Sequence, residues 1–142
     1  MKLLFIEDSR PFFHWLTAVM PHHECYLATN VEEMLRMFQE HKFDAVFVDL
    51  KIPGVDEVKM VSAAKGLADG VPVIILTGEA TRADLCRVAD MLLFKHMILS
   101  NTERVIEECV EQTRQYIASQ PAAEQTNRIF SAIGGLRHGV PA

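Results

Sequence analysis

Residues 45–50 read Ala-Val-Phe-Val-Asp-Leu, an unbroken apolar run that stops on a carboxylate at Asp49. A strand with one solvated face alternates apolar and polar residues. A strand apolar at every position is covered on both faces, which is the habit of parallel sheets flanked by helices. Residues 44–50 therefore predict a central parallel strand that delivers Asp49 at its carboxyl end.

The neighbouring segments agree. Lys2–Ile6 (KLLFI) is a second apolar strand, and it halts at Glu7-Asp8-Ser9. Residues 71–76 (VPVIIL) form a third and end at Thr77-Gly78, while Met91–Phe94 ends at Lys95 and Glu24–Ala28 is a weaker strand. Between them lie helical patterns. Ser9 is placed to cap a helix with Pro11 in its first turn and Phe12, Leu16 and Val19 on one face, stopped by Pro21. Asn30 and Glu33 have capping-box spacing ahead of Met34, Leu35 and Phe38. Pro53-Gly54 marks a turn before Val58, Val61, Ala64, Lys65 and Leu67, and Gly70 ends that helix. A short helix is expected around residues 82–89. Ser100 and Glu103 have the spacing of a second capping box, opening a helix with Val105, Ile106, Cys109, Val110, Thr113 and Ile117 on one face.

Strand–helix alternation five times over predicts an α/β doubly wound parallel sheet with helices on both faces and right-handed crossovers. In such sheets ligands collect beyond the carboxyl ends of the strands. Glu7, Asp8, Asp49, Thr77 and Lys95 all fall there, one set from each of four strands. Three carboxylates in one crevice repel one another. A hard divalent cation with oxygen ligands relieves that conflict, and Mg²⁺ is the natural choice. Asp49, at the centre, is the candidate nucleophile, since a carboxylate can form an acyl phosphate. Phosphoryl transfer asks mainly for alignment and charge neutralisation, which Mg²⁺ and the Lys95 ammonium would share. The Thr77 hydroxyl can bond a phosphoryl oxygen.

LLFIEDS, VFVDLKIPGVD, VIILTGEA and LLFK, in that order, resemble the four signatures of response-regulator receiver domains of two-component signalling, over roughly residues 1–118. The resemblance implies a flavodoxin-like sheet of five strands in the order 2-1-3-4-5. It implies Asp49 as phosphoacceptor from a histidine kinase or histidine phosphotransfer protein. Glu7, Asp8, Asp49 and the Lys51 backbone carbonyl would hold Mg²⁺, with Thr77 as switch hydroxyl and Lys95 as phosphate-side cation. Pro53 and Gly54 would shape the loop after Asp49. Four departures stand out. His96 follows Lys95 where the family has Pro, Leu92 replaces an aromatic residue, Glu57 replaces a frequent Gly, and only 18 positions separate Thr77 from Lys95. A non-proline cis bond costs about 2.5–4 kcal/mol, so the segment after Lys95 is expected to be strained or arranged differently. The output face is expected to be non-standard.

Other residues take quieter readings. Asp56 is assigned to its loop or to the cap of the third helix. The six histidines show no i, i+4 pairing with Glu or Cys and are read as surface or packing residues. Cys25, Cys86 and Cys109, odd in number and widely spaced, are read as reduced, buried thiols. Lys51 and Glu79 flank the expected phosphate and are candidates to pair across it.

With 142 residues and a net charge of −5, the chain fits one domain with an ordinary core. Its scattered Lys and Arg argue against direct nucleic-acid binding. No apolar run reaches the roughly 18 residues of a membrane span, and the short N-terminal run is no signal peptide, so a cytoplasmic location is expected. Residues 119–142 shift to Pro, Ala, Gln and Gly. They are expected to be a tail rather than an output domain, with Ile129, Phe130, Ile133 and Leu136 at helical spacing.

The reading that follows is a phosphorylation switch with a downstream protein partner, compatible with a homodimer, and self-catalysed rather than a turnover enzyme. The alternative is a phosphorylation-independent interaction or dimerisation module. A haloacid-dehalogenase-type phosphatase would need a second Asp where Lys51 stands. An FMN binder would place a phosphate against Glu7 and Asp8.

Overall fold

The computed structural model describes residues 1–52, 54–78 and 88–121. In chain order they form β1 (Lys2–Ile6), α1 (Arg10–Val19), β2 (Glu24–Ala28), α2 (Val31–Glu40), β3 (Ala45–Val48), α3 (Glu57–Ala68), β4 (Val73–Thr77), β5 (Met91–Phe94), a 3-10 helix (Lys95–Ile98) and α4 (Thr102–Ser119). The strands make one parallel sheet in the order β2-β1-β3-β4-β5. The expected doubly wound, flavodoxin-like architecture is the observed one.

Strand periodicity of two divides the core. Leu4, Ile6, Val46, Val48, Val73 and Ile75 point to one face and pack with Met34 of α2 and Met60, Val61 and Ala64 of α3. Leu3, Phe5, Ala45, Phe47, Ile74 and Leu76 point to the other and pack with Leu16 of α1 and Ile106, Cys109 and Val110 of α4. Both faces of β1, β3 and β4 are therefore dry, which is why those strands carry no alternation. The stacked rings of Phe5 and Phe47, 5.0 Å apart, tie β1 to β3 on the second face.

Helix starts follow local chemistry. Ser9 Oγ accepts the Phe12 N–H and Asn30 Oδ1 accepts the Glu33 N–H. Asp56 caps α3 by accepting the Lys59 N–H at 3.0 Å, as assigned. α3 ends at Asp69 in the left-handed region (φ 49°) followed by Gly70 (φ 86°), so the chain reverses where glycine has no steric cost. The capping box expected at Ser100 and Glu103 does not form. Asn101 is the N-cap residue, in a left-handed conformation that Asn tolerates, and it makes no side-chain cap bond. Glu103 turns away to two donors on His22, its backbone N–H and its ring Nδ1, both at 3.0 Å.

The polar residues inside α4 satisfy themselves, with Thr102 and Thr113 hydroxyls donating to the carbonyls of Ile98 and Cys109. The 3-10 helix answers the question raised by His96. Among the described residues every peptide is trans, and the chain after Lys95 tightens into this short helix instead. The helix expected over residues 82–89 falls almost wholly outside the described residues. So do Glu79, Cys86, Pro53 and the tail residues Ile129, Phe130, Ile133 and Leu136.

Candidate functional site

The strand order reverses between β1 and β3, and the crevice at that reversal is where ligands bind in sheets of this type. Backbone pairing runs one residue past each strand there. The Glu7 N–H donates to Ala28 O at 3.0 Å and the Asp49 N–H donates to Ile6 O at 2.8 Å. The two carboxylates are thus held at the sheet's carboxyl edge by the ladder itself.

The side chains converge. Carboxylate oxygens of Glu7, Asp8 and Asp49 all lie within 4.8 Å of one another. Glu7 and Asp49 are only 2% and 5% exposed, whereas Asp8 stands at the solvent mouth. Lys95 crosses from the end of β5 to bring Nζ within 3.1 Å of Glu7 Oε2 and 3.2 Å of Asp49 Oδ2. Its ammonium also lies 4.2 Å from the centre of the Phe12 ring, which walls the crevice from the α1 side. The Lys51 N–H donates to Asp49 Oδ1 at 3.2 Å, so the peptide after Leu50 wraps back on the carboxylate. Thr77 is the buried last residue of β4, in register with Phe94. A Cβ on the following Gly78 would meet Lys95 Cδ at 3.9 Å, so the chain leaving Thr77 runs beside the lysine.

Electrostatics reveal a shortage of positive charge. The Glu7 carboxyl is pushed up from 4.5 to about 8, first by burial, then by its hydrogen bond with Asp49 and by that residue's charge. The Ser9 N–H and the Lys95 ammonium pull the other way without prevailing. One lysine does not neutralise this crevice. A divalent cation would, and the donor set suits Mg²⁺. The ligands are all oxygen, and opposite ligands of a Mg²⁺ octahedron stand about 4.2 Å apart, within the spread of these carboxylates.

Glu7, Asp8, Asp49 and Lys95, dispersed in sequence, are brought together, with Thr77 and Lys51 at the margins. Sequence reasoning missed Phe12 under Lys95, which carries no signal beyond being apolar on α1. It also missed a cluster at the opposite edge of the sheet, where His22 and His23 meet Glu103 and Glu107 across more than 80 positions. The search for i, i+4 partners of histidine overlooked that Glu103 and Glu107 themselves have that spacing.

Residues 3–111 match the family model of the response regulator receiver domain. Among solved structures, the chain resembles a CheY-like receiver domain protein from Methanospirillum hungatei JF-1 at 18% identity and a TM-score of 0.67, covering 84% of this chain and 98% of that one. A response regulator from Burkholderia pseudomallei, solved with a phosphorylated aspartic acid, calcium ion and citrate, aligns at 22% identity and a TM-score of 0.67, over 87% and 74% of the two chains. TrrA from Thermotoga maritima, in complex with Mg²⁺ and beryllium fluoride, aligns at 19% identity and 0.64, over 75% and 96%. At these identities the likeness shows the fold. No curated protein matches the chain.

Proposed function

Since the chain belongs to the response regulator receiver domain family, we propose that Asp49 is its phosphoacceptor and that phosphorylation there switches binding of a downstream protein. The observation that carries the reading is the placement of one buried carboxylate, Asp49, against both an acidic pair and the Lys95 ammonium. In the proposed step an Asp49 oxygen attacks phosphorus on the phosphohistidine of a histidine kinase or phosphotransfer protein. An O–P bond forms, the N–P bond breaks, and the histidine nitrogen leaves with its electron pair.

Glu7, Asp8, Asp49 and the Lys51 carbonyl would hold Mg²⁺, which would neutralise phosphoryl oxygens as charge builds on them. Lys95 would exchange its contact with Asp49 for one with the incoming phosphoryl group. Thr77, at the neighbouring strand end, would donate its hydroxyl to another phosphoryl oxygen and move toward it. Phe12 lies under the Lys95 ammonium at the α1 side of the crevice. The product is a switch state, and the chain itself would speed both its formation and its hydrolysis.

A second reading is an interaction or dimerisation module that ignores phosphorylation. Leu92 in place of an aromatic ring, and Met97 and Leu99, 52% and 62% exposed just after Lys95, favour it. Amide spectra with Mg²⁺ and beryllofluoride separate the two. Shifts at Thr77 and along the 3-10 helix in the parent, absent in Asp49→Asn, support the switch. Shifts confined to the acidic crevice favour the second reading.

A further inference from the structure

The strand-start edge, opposite Asp49, carries a second cluster of ligating side chains with different chemistry. His23 sits in the turn between α1 and β2, fixed by its N–H donating to Met20 O at 3.2 Å. Its side chain is 7% exposed, and the N-terminal nitrogen of Met1 lies 2.9 Å from Nδ1. That contact turns the other ring nitrogen, Nε2, outward to α4. There it lies 2.8 Å from Glu107 Oε1 and 4.0 Å from Glu103 Oε1. His22 adds a second imidazole, with Nδ1 3.0 Å from Glu103 Oε1. One ligating atom each from His23, Glu103 and Glu107 can be enclosed within 4.8 Å.

We propose that His23, Glu103 and Glu107 form a site for a divalent transition-metal ion, with Zn²⁺ the best fit. Three observations support it. The set mixes imidazole with carboxylate, the donor choice of Zn²⁺ and its neighbours in the first transition row rather than of Mg²⁺. Bonds of about 2.0–2.2 Å to a tetrahedral ion put ligand atoms about 3.3–3.5 Å apart. The 2.8 Å and 4.0 Å separations from His23 Nε2 bracket that value. Lastly, the ligands ride on rigid elements. Glu103 and Glu107 are one turn apart on α4, and His23 is fixed in its turn by its N–H donating to Met20 O.

Hydrogen bonding alone also holds these groups, His22 serving Glu103 and His23 serving Glu107, and it still leaves two carboxylates converging on the His23 ring. An ion bound there would neutralise both, with the imidazole neutral and its proton on Nδ1, accepted by the Met1 amine once that group has released a proton. The consequence is mechanical. The first two turns of α4 become pinned to the turn after α1, at the edge away from the phosphorylation crevice.

The test is titration calorimetry of Zn²⁺ into the full chain, in buffer holding Mg²⁺ in large excess to occupy the acidic crevice. The expected result is one Zn²⁺ per chain, weakened by at least about tenfold in Glu107→Gln and in Glu103→Gln, with Asp49→Asn binding as the parent does. The two Glu variants alter exposed or half-buried groups and should fold, which circular dichroism checks. Co²⁺ loaded in place of Zn²⁺ should give intense visible absorption bands in the parent and lose them in Glu107→Gln. Absence of Zn²⁺ binding in the parent, or equal affinity in parent and both Glu variants, overturns the proposal.

Discussion

Lys95 holds its ammonium 3.2 Å from Asp49 Oδ2 although β4 lies between the strands that carry the two residues. Lys95 starts a 3-10 helix directly at the end of β5, and its ammonium sits over the Phe12 ring. Its charge is the only one the described chain points at both buried carboxylates, so its loss should be felt in chemistry. Lys95→Ala is expected to slow phosphoryl uptake from a small-molecule donor by about 10²-fold, the usual loss for one preorganised electrostatic contact. Stopped-time mass spectrometry of parent and variant checks this. Equal rates would remove Lys95 from the proposed mechanism.

The raised Glu7 carboxyl makes stability depend on pH. Between 4.5 and about 8 the folded protein keeps a proton on Glu7 that the unfolded chain has released. That contribution is complete below about pH 4.5 and is lost as pH climbs through about 8. In chelator, Tm should therefore fall from about pH 5 to about pH 8, and Glu7→Gln should flatten the slope. Added Mg²⁺ should raise Tm more at the upper end than the lower, because it binds the ionised form. A chelated parent whose Tm is level across that range would contradict the assignment.

Asp56 separates a structural acid from the proposed metal acids. Its carboxylate caps α3 through the Lys59 N–H. Asp56→Ala should cost about 1 kcal/mol in urea unfolding and leave Mg²⁺ affinity where it was. Weaker Mg²⁺ binding in that variant would move Asp56 into the metal site.

Lys65 and Asp90 form a buried ion pair linking α3 to the start of β5, and Asp90 also accepts the Val73 N–H at 2.9 Å. Removing one partner takes a buried ion-pair contact from the other. Asp90→Ala is expected to cost about 3–5 kcal/mol. The double change Lys65→Met with Asp90→Asn should cost less, since both charges of the pair go together and the amide oxygen still accepts from Val73. Chemical denaturation of the three proteins gives the comparison, and a double variant less stable than Asp90→Ala would refute it.

The sheet was readable because fully buried strands carry their own mark. Ala45–Val48 has no polar position and Val73–Thr77 has one only at its last residue, so neither period is confused, and both runs give way to polar residues where the crevice lies. The acidic crevice was readable for the same reason. Each of its groups sits one or two residues beyond an apolar run, and topology alone brings such residues together. Contacts set by where α4 crosses the sheet were not. Glu103 was expected to cap its own helix, and its actual partner, His22, lies 81 positions away on a turn that no local pattern points to. Arg114 reaching Asp44 at 3.4 Å is a second case. Lys65 on the buried face of α3 was legible as helix, but its partner in the residues before β5 was not, because charge pairing across 25 positions leaves no periodic trace.

The central claim is that Asp49 takes a phosphoryl group in a cation-dependent reaction. Intact-mass measurement after incubation with acetyl phosphate and Mg²⁺ tests it most directly. The account predicts a single phosphoryl adduct on the parent chain, lost with chelator and absent in Asp49→Asn. A folded, Mg²⁺-supplied parent that stays unmodified, or an Asp49→Asn variant that carries the same adduct, would contradict it.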